Sequence, residues 1–254
     1  TNSLLSYLGR INYKYLNKYL LTASYRIDGS SRFGEGNRFG YFPSASAGWL
    51  IDQEEFFSND IVNTLKLRAS WGQTGNQEIG NNRALSTFGT GNSYVLDDQF
   101  VTTLNPSRIA NPDLKWETTE QVDIGIDFGL LNDRISGSFA WYNKNTTDML
   151  LNLPVPTSSG FRSQLVNIGS MKNTGIEVGL NTYNITGKNF TWNSNINVST
   201  LKNTVKDLGG IPEILSGTFG AAANQVGIIK PNEPLRSFYG YDIVGVWQQG
   251  DDFS

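Results

Sequence analysis

The stretch LKWETTEQVDIGIDFGLLNDRISGSFAWY, from Leu114 to Tyr142, contains two alternating arms joined by a short polar corner. In the first arm Val122, Ile124, Ile126 and Phe128 fall on one face, and Gln121, Asp123, Gly125 and Asp127 fall on the other. That is the period of two imposed by a β-strand. In the second arm Ile135, Phe139 and Trp141 share a face opposite Ser136, Ser138 and Tyr142, and Leu131-Asn132-Asp133-Arg134 supplies the turn. Each arm is about ten residues or more, enough at the usual strand tilt to cross the hydrocarbon layer. Trp116, Phe128 and Trp141 stand near the arm ends, where the aromatic girdles of a membrane barrel belong. The stretch reads as a transmembrane hairpin.

The same pattern extends in both directions. Upstream, Ser6–Tyr15 and Tyr19–Asp28 form a second alternating hairpin around Leu16-Asn17-Lys18, followed by strands at Tyr41–Trp49 and Leu65–Trp71. Pro43 is expected near a strand end, because it cannot donate to a ladder. Downstream, Gly175–Tyr183 and Phe190–Ser199 alternate, and Arg236–Trp247 is the last expected strand. The connection IDQEEFFSNDIVNT is of medium length, with room for a helical turn. Gly72–Pro112, Asn143–Lys172 and Thr200–Pro234 are long, polar and rich in Asn, Gly, Thr and Ser, which marks them as functional loops. About nine strands, with short and long connections at opposite ends, predict an all-β, antiparallel, up-and-down transmembrane β-barrel, of which this chain is a part.

Composition narrows the function. The chain has 254 residues, no Cys, no His and a formal charge of -3, with no Pro/Ser linker or charge block to divide it. The charge balance excludes the electrostatic footprint of a nucleic-acid binder. Without His or Cys there is no Ser-His-Asp triad, thiol nucleophile or Cys/His zinc site, so no enzymatic role and no cofactor are expected. No run approaches the roughly 18 apolar residues of a membrane helix. The negative mean hydropathy does not exclude a barrel, since only alternate residues of its strands meet lipid. The chain opens Thr-Asn-Ser-Leu-Leu just ahead of a strand, without a leader, and it reads as an internal fragment.

Several strings in order resemble the barrel region of SusC/RagA-like TonB-dependent outer-membrane transporters. They are DGSSRFG (Asp28–Gly34), YFPSASAGW (Tyr41–Trp49), LKLRASWGQTGNQ (Leu65–Gln77), NPDLKWETTEQVDIGIDFG (Asn111–Gly129), PVPTSSGF (Pro154–Phe161), NIGSMKNTGIEVGLN (Asn167–Asn181) and SFYGYDIVGVW (Ser237–Trp247). The resemblance covers nearly the whole chain. It implies a plugged barrel of about 22 strands in the cell outer membrane that imports a nutrient, commonly oligosaccharide or peptide pieces. It also implies energy from TonB, acting through an N-terminal region outside this sequence, and a SusD-like surface lipoprotein as lid. Residues 1–254 would then be one part of the barrel domain, with the plug and the C-terminal strands elsewhere.

Among the long loops, Phe88, Tyr94, Phe100 and Phe161 could stack on a substrate, and Asn92, Asp97, Asp98 and Arg162 could give directional hydrogen bonds. Loop packing is the competing role for each. The acidic pairs Glu54-Glu55, Asp97-Asp98 and Asp251-Asp252 read as solvated surface, not general acid-base pairs. GEGNRFG at Gly34–Gly40 lacks the strand-to-helix setting and the Lys-Ser/Thr ending of a phosphate loop. The alternative to a transporter is a secreted β-rich carbohydrate-binding module. The two differ in what Tyr7, Ile11, Ile124, Phe139 and Val178 meet: lipid in a barrel, a second sheet in a sandwich.

Overall fold

The computed structural model describes residues 2–219, 224–240, 242 and 245. In chain order its strands are β1 (Leu4–Tyr15), β2 (Tyr19–Ser30), β3 (Phe39–Leu50), β4 (Val62–Asn76), β5 (Thr87–Leu96), β6 (Gln99–Arg108), β7 (Glu117–Leu130) and β8 (Ile135–Thr147). They continue as β9 (Leu150–Pro154), β10 (Ser163–Asn167), β11 (Ser170–Thr186), β12 (Thr191–Asp207), β13 (Ile214–Phe219), β14 (Asn224–Ile229) and β15 (Ser237–Phe238). Among the described residues the only helical turns are the 3-10 segments Ile51–Gln53, inside the medium connection, and Thr157–Ser159.

Eight strands make one antiparallel sheet in the order β1-β2-β3-β4-β7-β8-β11-β12, an up-and-down meander. β1 and β12 each have one neighbour, so the sheet is open. Three-residue and four-residue corners stay tight because their residues accept left-handed backbone: Leu16 and Asn17 at φ 49 and 57, and Leu131, Asn132 and Asp133 at φ 55, 58 and 59. All the short turns lie at one end of the sheet, together with the β3–β4 connection. The 77–116, 148–169 and 208–236 excursions leave from the other end.

Alternation sets the two faces. One lipid-side row runs Ala47, Ala69, Ile124, Trp141 and Ile176 across five strands. Ile11 is 73% exposed and Ile124 53%, and Tyr7, Phe139 and Val178 are exposed as well, so among the described residues no second sheet covers this face. An apolar hollow of about 550 Å³ crosses it, floored by Ala23, Ala45, Ala47 and Ala69 between Leu21 and Ile124, a surface that acyl chains can fill. Tyr13, Tyr15, Tyr19 and Trp49 stack in series with centroids 6.4, 6.3 and 6.4 Å apart at the short-turn end, and Tyr25 and Tyr41 stack at 6.5 Å toward the other. These are two girdles bounding an apolar band. Phe128 lies over its cross-strand partner Gly137, whose bare backbone makes room for the ring. The opposite face is polar: Arg68 Nε donates to Asp127 Oδ1 at 3.2 Å, Ser70 Oγ to Asp123 Oδ2 at 3.3 Å, and Arg26 Nε to Asp28 Oδ1 at 2.7 Å.

The structure corrects several expectations. Eight of the nine expected strands are in the sheet. Of the ninth, Arg236–Trp247, Ser237–Phe238 pairs with β14 in a separate three-stranded sheet, and half of the remainder lies outside the described residues. Parts of the long loops are strand: β4 continues to Asn76, β8 to Thr147 and β12 to Asp207, and β11 starts at Ser170. Beyond the girdle neither face meets lipid, so alternation no longer marks the strand. Pro43 sits inside β3, but one residue past the last β3–β4 pair, Ser44↔Gly72, where a missing N–H is harmless. Trp116 is not a girdle residue. It is 7% exposed in a core with Phe33, Phe42, Ile79 and Leu114, and its indole N–H donates to Arg38 O at 2.9 Å. This socket covers the ring and satisfies its polar edge together.

At the short-turn end Glu54 ties two connections together. Its carboxylate accepts from Tyr19 OH at 2.7 Å, Lys18 Nζ at 2.9 Å and Trp49 Nε1 at 2.9 Å. The Tyr19 hydroxyl first, then Lys18 and Trp49, hold the Glu54 carboxyl down at about 2. A carboxyl lowered on folding stabilises above its unfolded value, and that contribution is lost as pH falls toward the folded value. Amides of the β3–β4 connection are therefore expected to exchange faster at pH 3 than hydrogen-exchange chemistry alone dictates, relative to pH 6. Glu54→Gln should abolish this extra pH dependence; an unaltered profile in that variant would refute the anchor.

Candidate functional site

The excursions at the long end form one body above the sheet. The loop 31–38 sends Phe33 beneath Trp116, with centroids 5.3 Å apart, and Phe42 meets the same indole edge-on at 5.5 Å. Gly75 permits this, because a Cβ there would overlap the Phe42 ring. Four of the recognised strings therefore converge on one core: DGSSRFG, YFPSASAGW, LKLRASWGQTGNQ through Gly75, and NPDLKWETTEQVDIGIDFG. A second core, Val205, Leu208, Ile214 and Ile229, seats the small β13–β14–β15 sheet on the extension of β12.

Side-chain amides stitch the 77–116 and 148–169 excursions together. Asn111 Nδ2 donates to Leu165 O at 2.9 Å, Gln164 Nε2 to Ala110 O at 3.1 Å, and Asn167 Nδ2 to Lys115 O at 2.8 Å. Lys115 Nζ also pairs with Asp148 at 2.9 Å. Each amide uses a backbone carbonyl of the other excursion, so two of the three stretches expected to be functional loops are physically one unit.

The candidate residues divide between two places. Phe88, Asn92, Tyr94, Asp97, Asp98 and Phe100 all belong to the β5–β6 hairpin. Asp97 and Asp98, at φ 50 and 59, are its two-residue turn and are exposed, which gives them a backbone role. Register puts Phe88, Val95, Phe100 and Leu104 on one face of the hairpin, all exposed, with Phe100 at 83%, while Tyr94 lies on the other face opposite Val101. Asn92 is in the strand where the β5–β6 register shifts, and its side chain lies outside the described residues. Phe161 and Arg162 are instead at the hairpin root, lining a cavity of about 330 Å³ with Arg83 and Arg108. Asp251-Asp252 lies outside the described residues.

Sequence reading missed Arg83 and Arg108, which are far apart in the chain and meet only through the stitching of the excursions. It also missed a polar hollow of about 520 Å³ on the inner face, lined by Arg10, Arg26, Asp28, Gln121 and Asp123 among others. Its signal was present: Arg26 and Asp28 are two apart on β2, and hence on one face, with Arg10 across on β1.

Comparison with known proteins places these features. The TonB-dependent receptor-like β-barrel family profile matches residues 4–245. TonB-dependent receptor P3 of Formosa agariphila is 38% identical over 251 residues, covering 98% of this chain and 25% of that protein. TonB-dependent receptor SusC of Bacteroides thetaiotaomicron is 41% identical over 215 residues, 82% of this chain and 21% of that protein. The chain thus spans about a quarter of the length of the curated relatives it matches. Among solved structures the RagAB peptide transporter superposes with a TM-score of 0.84 at 32% identity, over 93% of this chain and 25% of that one.

Proposed function

Because the chain belongs to the TonB-dependent receptor-like β-barrel family of the outer membrane, we propose that it supplies barrel wall and extracellular loops to a nutrient importer. The observation that carries this is the segregation of the sheet. An exposed apolar face between two girdles suits lipid, a polar face suits a lumen, and the large excursions leave from one end only. A carbohydrate-binding sandwich would need the apolar face covered by a second sheet. The likeness to a peptide transporter supports peptide pieces as cargo, with oligosaccharides the other class the family resemblance allows. The remaining strands and the plug would come from elsewhere in the whole protein, and TonB would act through that part.

A SusD-like surface lipoprotein is the partner we assign to the long end. The exposed Phe88, Val95, Phe100 and Leu104 face supports a protein partner there, since contiguous apolar surface in water marks a docking region.

Specificity is assigned to the stitched unit. In the full-length importer, exchanging 77–116 and 148–169 together for those of a relative with different cargo should transfer uptake preference. Exchanging either alone should transfer less, because the amide bonds between them are lost. Uptake specificity unchanged by the joint exchange would remove the assignment.

A further inference from the structure

The cavity at the root of the β5–β6 hairpin brings three guanidinium-bearing residues together, Arg83, Arg108 and Arg162, and no Asp or Glu lines it. Among the described residues none of the three is in an ion pair. In a chain of net charge -3, three arginines around one cavity with no carboxylate among its lining residues concentrate positive charge at one place. Arg108 is also oriented: its Nε donates to Thr87 Oγ1 at 2.8 Å, which leaves the outer nitrogens of the fork for a ligand. Arginine forks match a carboxylate with two parallel hydrogen bonds, and such charge-assisted bonds are the strong ones. The cavity has fixed walls, since Gln164 and Asn111 bond one excursion to the other beside it.

We propose that this cavity binds the carboxylate-bearing end of an oligopeptide. Ile109, Phe161 and Leu165 give an otherwise polar lining an apolar side, which favours this occupant over an acidic sugar. A peptide terminus presents a carboxylate next to a side chain that can be wholly apolar, whereas a uronic-acid ring offers only a C–H patch bounded by hydroxyls. The inference rests on the importer reading and adds a charge requirement to it.

The test uses the full-length protein in detergent and a fluorescein-labelled pentapeptide ending in leucine. Its free acid, its C-terminal amide and a labelled oligogalacturonate are titrated by fluorescence anisotropy. The free acid should bind about ten-fold or more tightly than the amide, the range expected for a charged hydrogen-bonding group. The exposed pair Arg83→Gln with Arg162→Gln should remove most of the free acid's advantage over the amide, the remainder being held by Arg108, and leave the amide unchanged. Arg162→Lys alone should retain part of the preference, since a point charge replaces a fork. Equal binding of acid and amide to the unaltered protein overturns the proposal while leaving peptide import intact, and so does a preference undiminished by the double substitution. Binding of oligogalacturonate but not of the peptide acid overturns it in favour of an acidic sugar. If no peptide or sugar binds and none is taken up by cells, the importer reading fails with it.

Discussion

Trp116→Ala is expected to cost about 3–5 kcal/mol, the range for truncating a large buried aromatic. The residue is 7% exposed, rings from two separate segments lie within 5.5 Å of it, and its indole N–H satisfies Arg38 O. The loss should be local. The Trp116 core lies beyond the girdle, so the membrane sheet keeps its pairing while loop 31–38 and the 77–86 segment open. Hydrogen exchange in the full-length protein would then show faster amides in those segments and unchanged amides in β7 and β8. Trp116→Phe should retain much of the packing and lose the indole hydrogen bond, about 1 kcal/mol. A Trp116→Ala protein with native protection in loop 31–38 would contradict the placement of this core.

Ile124→Arg tests the other half of the architecture. Ile124 is in the middle of β7 on the exposed apolar face, so an arginine there meets hydrocarbon and should destabilise the barrel by about 2–4 kcal/mol. Its neighbour Asp123 faces the polar side, accepting from Ser70 and Gln121, and Asp123→Asn should cost well under half as much. Denaturant titration of the full-length barrel refolded into lipid vesicles measures both. Equal costs at the two positions would mean that the faces have been assigned the wrong way round.

What the sequence made legible follows from where each residue meets its solvent. Between the girdles, lipid on one side and water on the other force a strict alternation, so the strands around Ile11, Ala45, Ile124 and Val178 and the face each side chain takes were readable. Above the girdle both faces meet water or protein, and the periodicity that would have revealed β5, β6 and the end of β12 is absent. Trp116 shows the ambiguity in one residue: an aromatic near a strand end suits a girdle and a core equally until the socket made by Phe33 and Phe42 is seen. The candidate residues of the β5–β6 hairpin were found by type, but their division between turn, two faces and hairpin root depends on pairing. Arg83 and Arg108 were illegible as partners of Arg162, because only the cross-bonds of Asn111 and Gln164 bring them together.

The neighbour relation between β4 and β7 also bears on the order in which the wall can come together in time. Three of the seven seams join strands separated by a tight corner, but β8 must find β11 across residues 148–169 and β4 must find β7 across residues 77–116. On logarithmic loop scaling, closing that stretch costs about 2 kcal/mol more entropy than closing the corner at 187–190. The β5–β6 hairpin forms from local contacts and takes its own residues out of the open loop, which shortens the search. Hairpins such as β1–β2, β7–β8 and β11–β12 are thus the kinetic units of the wall, and β8–β11 and β4–β7 are the later seams, β4–β7 closing the longer loop.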